Sequence, residues 1–382
     1  MKRILILAFS DLRHDARVGR QIDFLKDLGS ITLVCFDAPA TSSHEVIQIK
    51  RIRPSLWVKA ITSILLLGRW YEQAFHQLYD FPELRQQLAS REFDLIIAND
   101  IECLPLAVRI RKHEKILFDA HEYAPRHFED KWVWRIFFQD FNKYLCHKYI
   151  PAANAMTTVG EGLAEEYARH FRVKPVIITN AAYYADLKPD AVKPGRVRLI
   201  HHGSANPSRQ LELMIRMMDF LDERFTLDMM LLTPAMANKK TGAYLDKLKV
   251  LVAPNPRIRI IDGVTSDKVV DAIHNYDVGL FLLPPINFNY ANTLPNKFFE
   301  FIQARLAIAI GPTPEMKMLV NTYDLGVVAD DFTPESLALK INALDENDIT
   351  RYKEQANKAA KELSAESNGS LMIDLVNKLF RG

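Results

Sequence analysis

Cysteine is scarce in this chain. Of 382 residues only Cys35, Cys103 and Cys146 are cysteine, far apart and with no CxxC spacing. That excludes a disulfide framework and a cysteine-based zinc site, and an odd count suits a reducing compartment. Charge of one sign is lacking too. Lys and Arg number 49 against 47 Asp and Glu, a formal net charge of +2. No global basic footprint is present, so nucleic acid is not an expected partner. Long apolar runs are missing. The longest, Ala60–Gly68, falls well short of the roughly 20 residues that span a bilayer. The opening MKRILILAF is too short for a signal peptide, and Asp11 and Asp15 follow it with no small-residue cleavage site. It reads as a first buried strand, and the expectation is a cytoplasmic protein. No low-complexity segment and no repeat of 20–50 residues is visible.

What remains is ordinary globular composition, 48% hydrophobic and 25% charged, in a length of two to three domains. Short apolar runs alternate with amphipathic stretches. Lys2–Phe9, Ser30–Phe36, Asp94–Ala98, Lys115–Asp119 and Ala155–Val159 read as strands, with helices at Asp15–Leu28, Glu102–Lys112 and Glu161–His170 between them. Strands apolar on both faces and separated by helices imply a parallel sheet covered on both sides. Asn180–Arg196 is polar and irregular, with Pro189, Pro194 and Gly195, and reads as an interdomain linker. The alternation then restarts with strands at Val197–His202, Phe225–Leu232, Ile258–Ile261, Val278–Leu283, Ala307–Ile310 and Val327–Ala329. Helices at about 209–221, 241–252, 266–274, 296–304 and 336–344 fill the gaps, and one or two more follow Asp345.

The expected architecture is therefore α/β, two Rossmann-like doubly wound domains at 1–180 and 197–363, facing across a cleft. Ligands in such sheets sit beyond the carboxyl ends of the strands. Periodicity alone equally allows a dehydrogenase, a periplasmic-type binding protein or a sugar epimerase. The dehydrogenase is disfavoured, because no GxGxxG follows Lys2–Phe9.

The most informative segment is Leu294–Gly311, LPNKFFEFIQARLAIAIG. Pro295 fits the first helical position. Lys297 and Glu300 are three apart and share one face of the first turn. A helix N-terminus attracts phosphate, and Lys297 adds a full charge there. Glu300 can accept two hydroxyl hydrogen bonds, as a ribose diol offers. The alternative is a surface ion pair between them. A second segment, His201–Gln210, HHGSANPSRQ, follows the first strand of the second half. Gly203 permits close backbone approach, Ser204 is small and polar, and Arg209 can clamp a pyrophosphate bidentately. A plain β–α turn with an N-cap reads equally from these residues alone.

These two segments resemble the nucleotide-diphosphate signature of GT-B glycosyltransferases, especially family four, the retaining branch. The resemblance covers most of the chain, including the closing LSAESNGSLMIDLVNKLF. That stretch is similar to the family's C-terminal helices, here 364–382, which cross back to the first domain. The resemblance puts Glu300 on the donor ribose, and Lys297 and Arg209 beside the diphosphate. Gly203 and Ser204 form the glycine loop, and Asp262, Gly263 and Val264 lie beside the nucleobase. Asn292, Thr293 and Leu294 lead into the signature. The family often carries a Glu where this chain has Asn292, which leaves the donor sugar open.

In the first domain FDAHEY, Phe118–Tyr123, ends a strand. His121 and Glu122 can serve in proton transfer or hold a sugar hydroxyl, and the family often has a similar D-x-H-E here. The alternative is a strand-end His bonded to backbone. HEYAP lacks the second His of a zinc motif, and no DxD-type metal site is present. Ser10–Gln21, SDLRHDARVGRQ, resembles a D-x-R-V-x-R variant of the family. Asp15 suits an N-cap and, with Arg17, is a candidate acceptor-binding residue. Arg17 either binds an acceptor phosphate or pairs with Asp15.

Finally, Val46–Tyr71 contains no Asp or Glu but has Lys50, Arg51, Arg53, Lys59 and Arg69 with Trp57 and Trp70. Lys131–Tyr149 adds Trp132, Trp134, Phe137 and Phe138. Basic, aromatic surfaces suit the plane of an anionic membrane, while two core helices with charged rims are the alternative. The resemblance implies a metal-independent transferase without a cofactor. Its substrates would be a nucleotide-diphosphate sugar and a glycan or lipid-linked acceptor in surface polysaccharide synthesis. A nucleotide-sugar epimerase or hydrolase, or a catalytically silent nucleotide-sugar-binding scaffold, are the other readings.

Overall fold

The computed structural model describes residues 2–40, 42–51, 55–232 and 239–381. The chain divides into two compact units. The first comprises Met1–Thr179, Asn287–Asn289 and Asn368–Gly382, and the second Asn180–Ile286 and Tyr290–Ser367.

In the first unit the strands are β1 (Lys2–Ala8), β2 (Gly29–Cys35), β3 (Glu45–Gln48), β4 (Leu95–Asn99), β5 (Lys115–Ala120), β6 (Ala155–Thr158) and β7 (Val176–Ile177). They pair in parallel in the order β3-β2-β1-β4-β5-β6-β7. Five of the seven β1 residues are buried, so the strand is apolar on both faces. Leu5 and Leu7 join one core with Ile96, Phe118 and Leu145. Ile4 and Ile6 join the other with Ile31, Leu33, Met372 and Val376, the last two from the helix Ala365–Arg381. Alternation of side chains across a strand is what lets one run of Ile and Leu serve two cores.

The second unit repeats the plan with β8 (Val197–Gly203), β9 (Phe225–Leu231), β10 (Ile258–Asp262), β11 (Val278–Phe281), β12 (Ala307–Ile310) and β13 (Gly326–Val328), in the order β10-β9-β8-β11-β12-β13. Strand order reverses between β8 and β11 here, and between β1 and β4 in the first unit. These are the points where doubly wound sheets open a crevice at their carboxyl ends. The helix Asn296–Gln303 is seated over this point by packing. A Cβ on Gly279 of β11 would fall 2.4–2.6 Å from the Phe301 ring, so only glycine admits the helix this close. Burying such a ring contributes roughly 1.5–3 kcal/mol, and Gly279→Ala would push the helix off the sheet.

The expected linker at 180–196 is part of the second unit instead. Ala181 is buried, Gln303 Oε1 accepts from Ala185 N at 3.1 Å, and Arg305 Nη2 donates to Ala185 O at 2.6 Å. Its polar composition reflects backbone satisfied by buried side chains rather than freedom.

Candidate functional site

In the second unit, β8 carries His201 and His202 to its carboxyl end, and Gly203 turns the chain at φ +121°. Lys297 lies in the first turn of the helix Asn296–Gln303, which starts after Pro295 rather than on it. The Lys297 side chain is only 5% exposed, so it is not half of a surface ion pair. Its Nζ donates to His202 O at 2.7 Å, lies 3.3 Å from His201 Nε2, and sits 4.4 Å from the centroid of the Phe281 ring on β11. The amine thus stands where β8 and β11 part. A Cβ on Gly203 would lie 3.5 Å from Lys297 Nζ and 3.6 Å from Arg209 Nη1. The missing side chain leaves both basic groups facing one small space. Among the described residues no carboxylate lies within ion-pair distance of either.

Electrostatics follow from that crowding. Burial, then the charge of Arg209, pushes the Lys297 amine well below its usual range, while Glu300 partly opposes them. Burial and Lys297 likewise hold His201 neutral, and burial, Lys297 and Arg209 do so for His202. Glu300 Oε2 lies 3.4 Å from His202 Nε2, which has no hydrogen-bond partner among the described residues. Asn206 caps the short turn Pro207–Arg209 by accepting from Ser208 N at 3.1 Å, which fixes the base of Arg209. Ser204 stays half-buried in the loop. Asn292 and Thr293 are half-buried beside the helix start, and Leu294 is buried with its carbonyl accepting from Asn180 Nδ2 at 3.1 Å. Asp262 ends β10 with its side chain exposed, Gly263 N donates to Leu231 O at 2.9 Å, and Val264 packs on the core.

The first unit fills its own switch point. Arg17, in the helix Ala16–Leu25, does not pair with Asp15. Its guanidinium reaches across the sheet to Asp119 on β5, with Nε to Oδ2 at 2.9 Å and Nη2 to Oδ1 at 2.6 Å, and Nη1 donates to Ile178 O. Asp15 instead caps that helix, accepting from Val18 N, and takes a bond from Ser10 Oγ. Asp119 also accepts from Thr157 Oγ1 and from Gln21 Nε2. Burial alone would raise its carboxyl, but Arg17 and His121 hold it far below the usual range.

His121 has both ring nitrogens engaged. Nδ1 lies 3.2 Å from Asp100 Oδ2, and Nε2 lies 3.2 Å from Asn99 Oδ1 and 3.4 Å from Asp119 Oδ2. Burial disfavours its charge, yet Asp100 and Asp119 outweigh it and push the imidazole up to about 9. It is a held imidazolium with no nitrogen left to take a proton. Glu122 is occupied by His127, Oε2 to Nε2 at 2.8 Å.

No family model and no curated protein matches the sequence. Solved structures do. Sucrose-phosphate synthase from Thermosynechococcus elongatus superposes with a TM-score of 0.71 at 13% identity, covering 100% of both chains. HepE of Anabaena, solved in complex with UDP-glucose, gives 0.68 at 12% identity over 99% of this chain and 100% of that one. A glycosyltransferase from Rickettsia africae gives 0.68 at 13% identity over 100% and 99%. The chain has the GT-B fold.

One feature of this GT-B chain is hidden in its sequence, and another stands there only as two alternatives. His201 and Phe281, which frame Lys297, come from separate strands, and only the doubled histidine after β8 marks the place. The acid-free segment is the other. Within the described residues it holds β3, the helix Leu56–Leu67 and the start of the helix Tyr71–Tyr79, while Arg53 lies outside them. The helix Leu56–Leu67 packs by Thr62 and Leu66 and turns Trp57 (82% exposed), Ile61, Ile64 and Leu67 outward. The π-helical turn Arg135–Gln139 lies against it, continuing from exposed Trp132 and Val133. The exposed parts of the two segments, Leu56–Leu67 and Trp132–Ile136, form one apolar face, while the helix Asp140–Tyr149 is core through Phe141, Leu145 and Tyr149. No helix among the described residues is long and apolar enough to cross a membrane.

Proposed function

We propose that this chain is a glycosyltransferase that takes a sugar from a nucleoside-diphosphate donor. The observation that carries the reading is buried Lys297 and half-buried Arg209, with no carboxylate in ion-pair distance, facing the space above Gly203 at the switch point of the second unit. Two fixed basic groups at a crevice of this kind suit a diphosphate. As the bond from the anomeric carbon to the diphosphate oxygen breaks, the electron pair stays on that oxygen. Lys297 and Arg209 stabilise the growing charge without needing a metal. The acceptor hydroxyl oxygen forms the new bond and gives up its proton. Glu300 takes the ribose diol, Gly203 and Ser204 line the phosphates, Asp262, Gly263 and Val264 lie by the base, and Asn292, Thr293 and Leu294 lie towards the sugar. His121 acts through charge and position. Retention at the anomeric carbon, and a glycan or lipid-linked acceptor in surface polysaccharide synthesis, follow the resemblance to family four.

The test is a thermal-shift screen of nucleotide sugars followed by product analysis. A donor at a hundred times its Kd adds about 2.7 kcal/mol of apparent stability. Transfer then requires an acceptor, whereas epimerisation or hydrolysis proceeds without one and a silent scaffold turns nothing over. Activity should survive chelation. Complete loss in EDTA, restored by magnesium or manganese, would overturn the role given to the two cations.

The apolar face of the first unit supports a place on the inner surface of a membrane. Exposed Trp57 and Trp132 are flanked by exposed Lys59, Arg69, Lys131 and Arg135. Each basic residue contributes about 1 kcal/mol near an anionic surface, fading within a Debye length. Binding to vesicles should rise with anionic lipid and fall with salt. Changing Lys50, Arg51 and Arg53 to Ser should release much of it with nucleotide binding intact. Indifference to anionic vesicles at low salt would assign the face to another partner and favour a soluble acceptor.

A further inference from the structure

Lys297 is held in a way that an ordinary phosphate-binding lysine is not. Leu280 O can only accept a hydrogen bond, and it lies 3.0 Å from His201 Nδ1. That nitrogen therefore carries the hydrogen, and the neutral ring turns a bare Nε2 towards Lys297 Nζ at 3.3 Å. The ring cannot shift, because it stacks on Phe281 at 5.9 Å and 19° and is wholly buried. Two acceptors, His201 Nε2 and His202 O, thus take two N–H bonds from Nζ. A neutral amine has two N–H bonds, so this frame satisfies it completely. The groups that face Nζ are His201 and His202 from β8, Phe281 from β11, Arg209 from the turn before the next helix, and Glu300 from its own helix.

We infer that Lys297 is a neutral amine in the empty site and takes up one proton as a diphosphate arrives, with His201 as the positioning residue that aims it. The proton comes from solvent and forms the third N–H bond, which points away from the two acceptors towards the space shared with Arg209. The direction of the Lys297 shift, set by burial and Arg209, agrees with the geometry. The inference rests on the second unit binding a nucleoside diphosphate. It adds that binding is coupled to protonation.

Calorimetry at pH 8.5 tests it, in buffers of differing ionisation enthalpy. The probe is whichever of UDP, GDP and ADP most raises the Tm. At that pH the phosphates are fully ionised, their second pKa being about 6, and an ordinary lysine is already charged. The wild-type chain should take up close to one proton per nucleotide bound. Its Kd should weaken with rising pH, by about tenfold per unit once pH exceeds the empty-site pKa. Lys297→Arg, whose guanidinium does not titrate, should bind without uptake and with a flat pH profile. His201→Gln keeps an acceptor and should retain both uptake and affinity. His201→Phe should lose both while its Tm shows a folded chain. Binding by the wild-type chain without uptake and with a flat profile overturns the inference alone. Absence of binding by all three nucleotides overturns the diphosphate reading on which it rests.

Discussion

The two units share a strand order and differ in how they treat buried positive charge. At the first switch point Arg17 and His121 are matched by Asp119 and Asp100, and the hydrogen bonds run on through Gln21, Asn99 and Thr157. At the second, Lys297 and Arg209 converge with no carboxylate in ion-pair distance among the described residues. A buried charge that is paired and hydrogen-bonded belongs to the fold. One that is left to a backbone carbonyl, a neutral imidazole and a ring costs free energy unless something anionic arrives. The same order of the first six strands therefore gives a charge-paired knot in one unit and, in the function we propose, a binding site in the other. The difference lies in which strand ends carry Asp.

The sharpest way to break this comparison is to remove Arg17. Arg17→Met takes the bidentate partner from buried Asp119 and leaves only His121 to offset its charge, and losing one partner of such a pair costs about 3–5 kcal/mol. Urea unfolding should show that loss in the first unit, with nucleotide affinity in the second preserved. A loss below about 1 kcal/mol would remove Arg17 from the fold and return it to ligand binding.

A pH series separates the two units without mutation. The folded-state pKa of His121 is raised from 6.5 to about 9. Its contribution is fully present below pH 6.5 and is lost as pH rises through 9, at most about 3 kcal/mol at 1.36 per unit. Lys297 is shifted the other way, so as pH rises towards the ordinary lysine value the second unit gains stability while the first loses it. Hydrogen exchange read separately on β5 and β8 should show opposite slopes. Parallel slopes would mean that the two sites are not opposites.

Lys297→Met sharpens the comparison from the other side. Removing a buried amine that has no carboxylate partner should leave the Tm unchanged or raised, while diphosphate affinity falls by roughly 1.5–3 kcal/mol, the scale of hydrogen bonds to charged groups. Arg209→Ala and Glu300→Ala should lose similar affinity. A strongly destabilised Lys297→Met chain with intact affinity would make the site structural after all.

The contrast also explains what the sequence shows and hides. Runs such as ILILA in β1 and AIAI in β12 announce parallel strands, because both faces must be apolar. The edge strand β3, Glu45–Gln48, and the two-residue β7 carry no such pattern, and the helix Pro314–Tyr323 buries only Met316 and Val320 among its apolar residues, too few for a periodic stripe. Lys297, Glu300 and Arg209 are legible because a helix start and a glycine loop have local signatures. Arg17 is not. Its partner lies 102 residues away, so spacing offers Asp15, which is occupied as a cap. His121 is legible as an important residue but not as an imidazolium, since that depends on Asp100 and Asp119 closing around it.

The smallest expected effect decides what Asp15 does. Its Oδ1 accepts from Val18 N at 3.1 Å, and its Oδ2 takes the Ser10 hydroxyl at 2.7 Å. Both bonds serve the entry to the helix that carries Arg17, so Asp15 acts on the first unit through the backbone. An N-cap carboxylate stabilises that entry by satisfying an orphan N–H and by facing the positive end of the helix dipole. Asp15→Ala should therefore cost about 1 kcal/mol of stability in urea, and Asp15→Asn much less, since Asn caps about as well. Turnover per folded molecule should be the same in both. If Asp15 instead holds the acceptor, Asp15→Asn would keep the stability and lose the turnover. Running the two variants side by side thus assigns Asp15 to the helix or to the substrate.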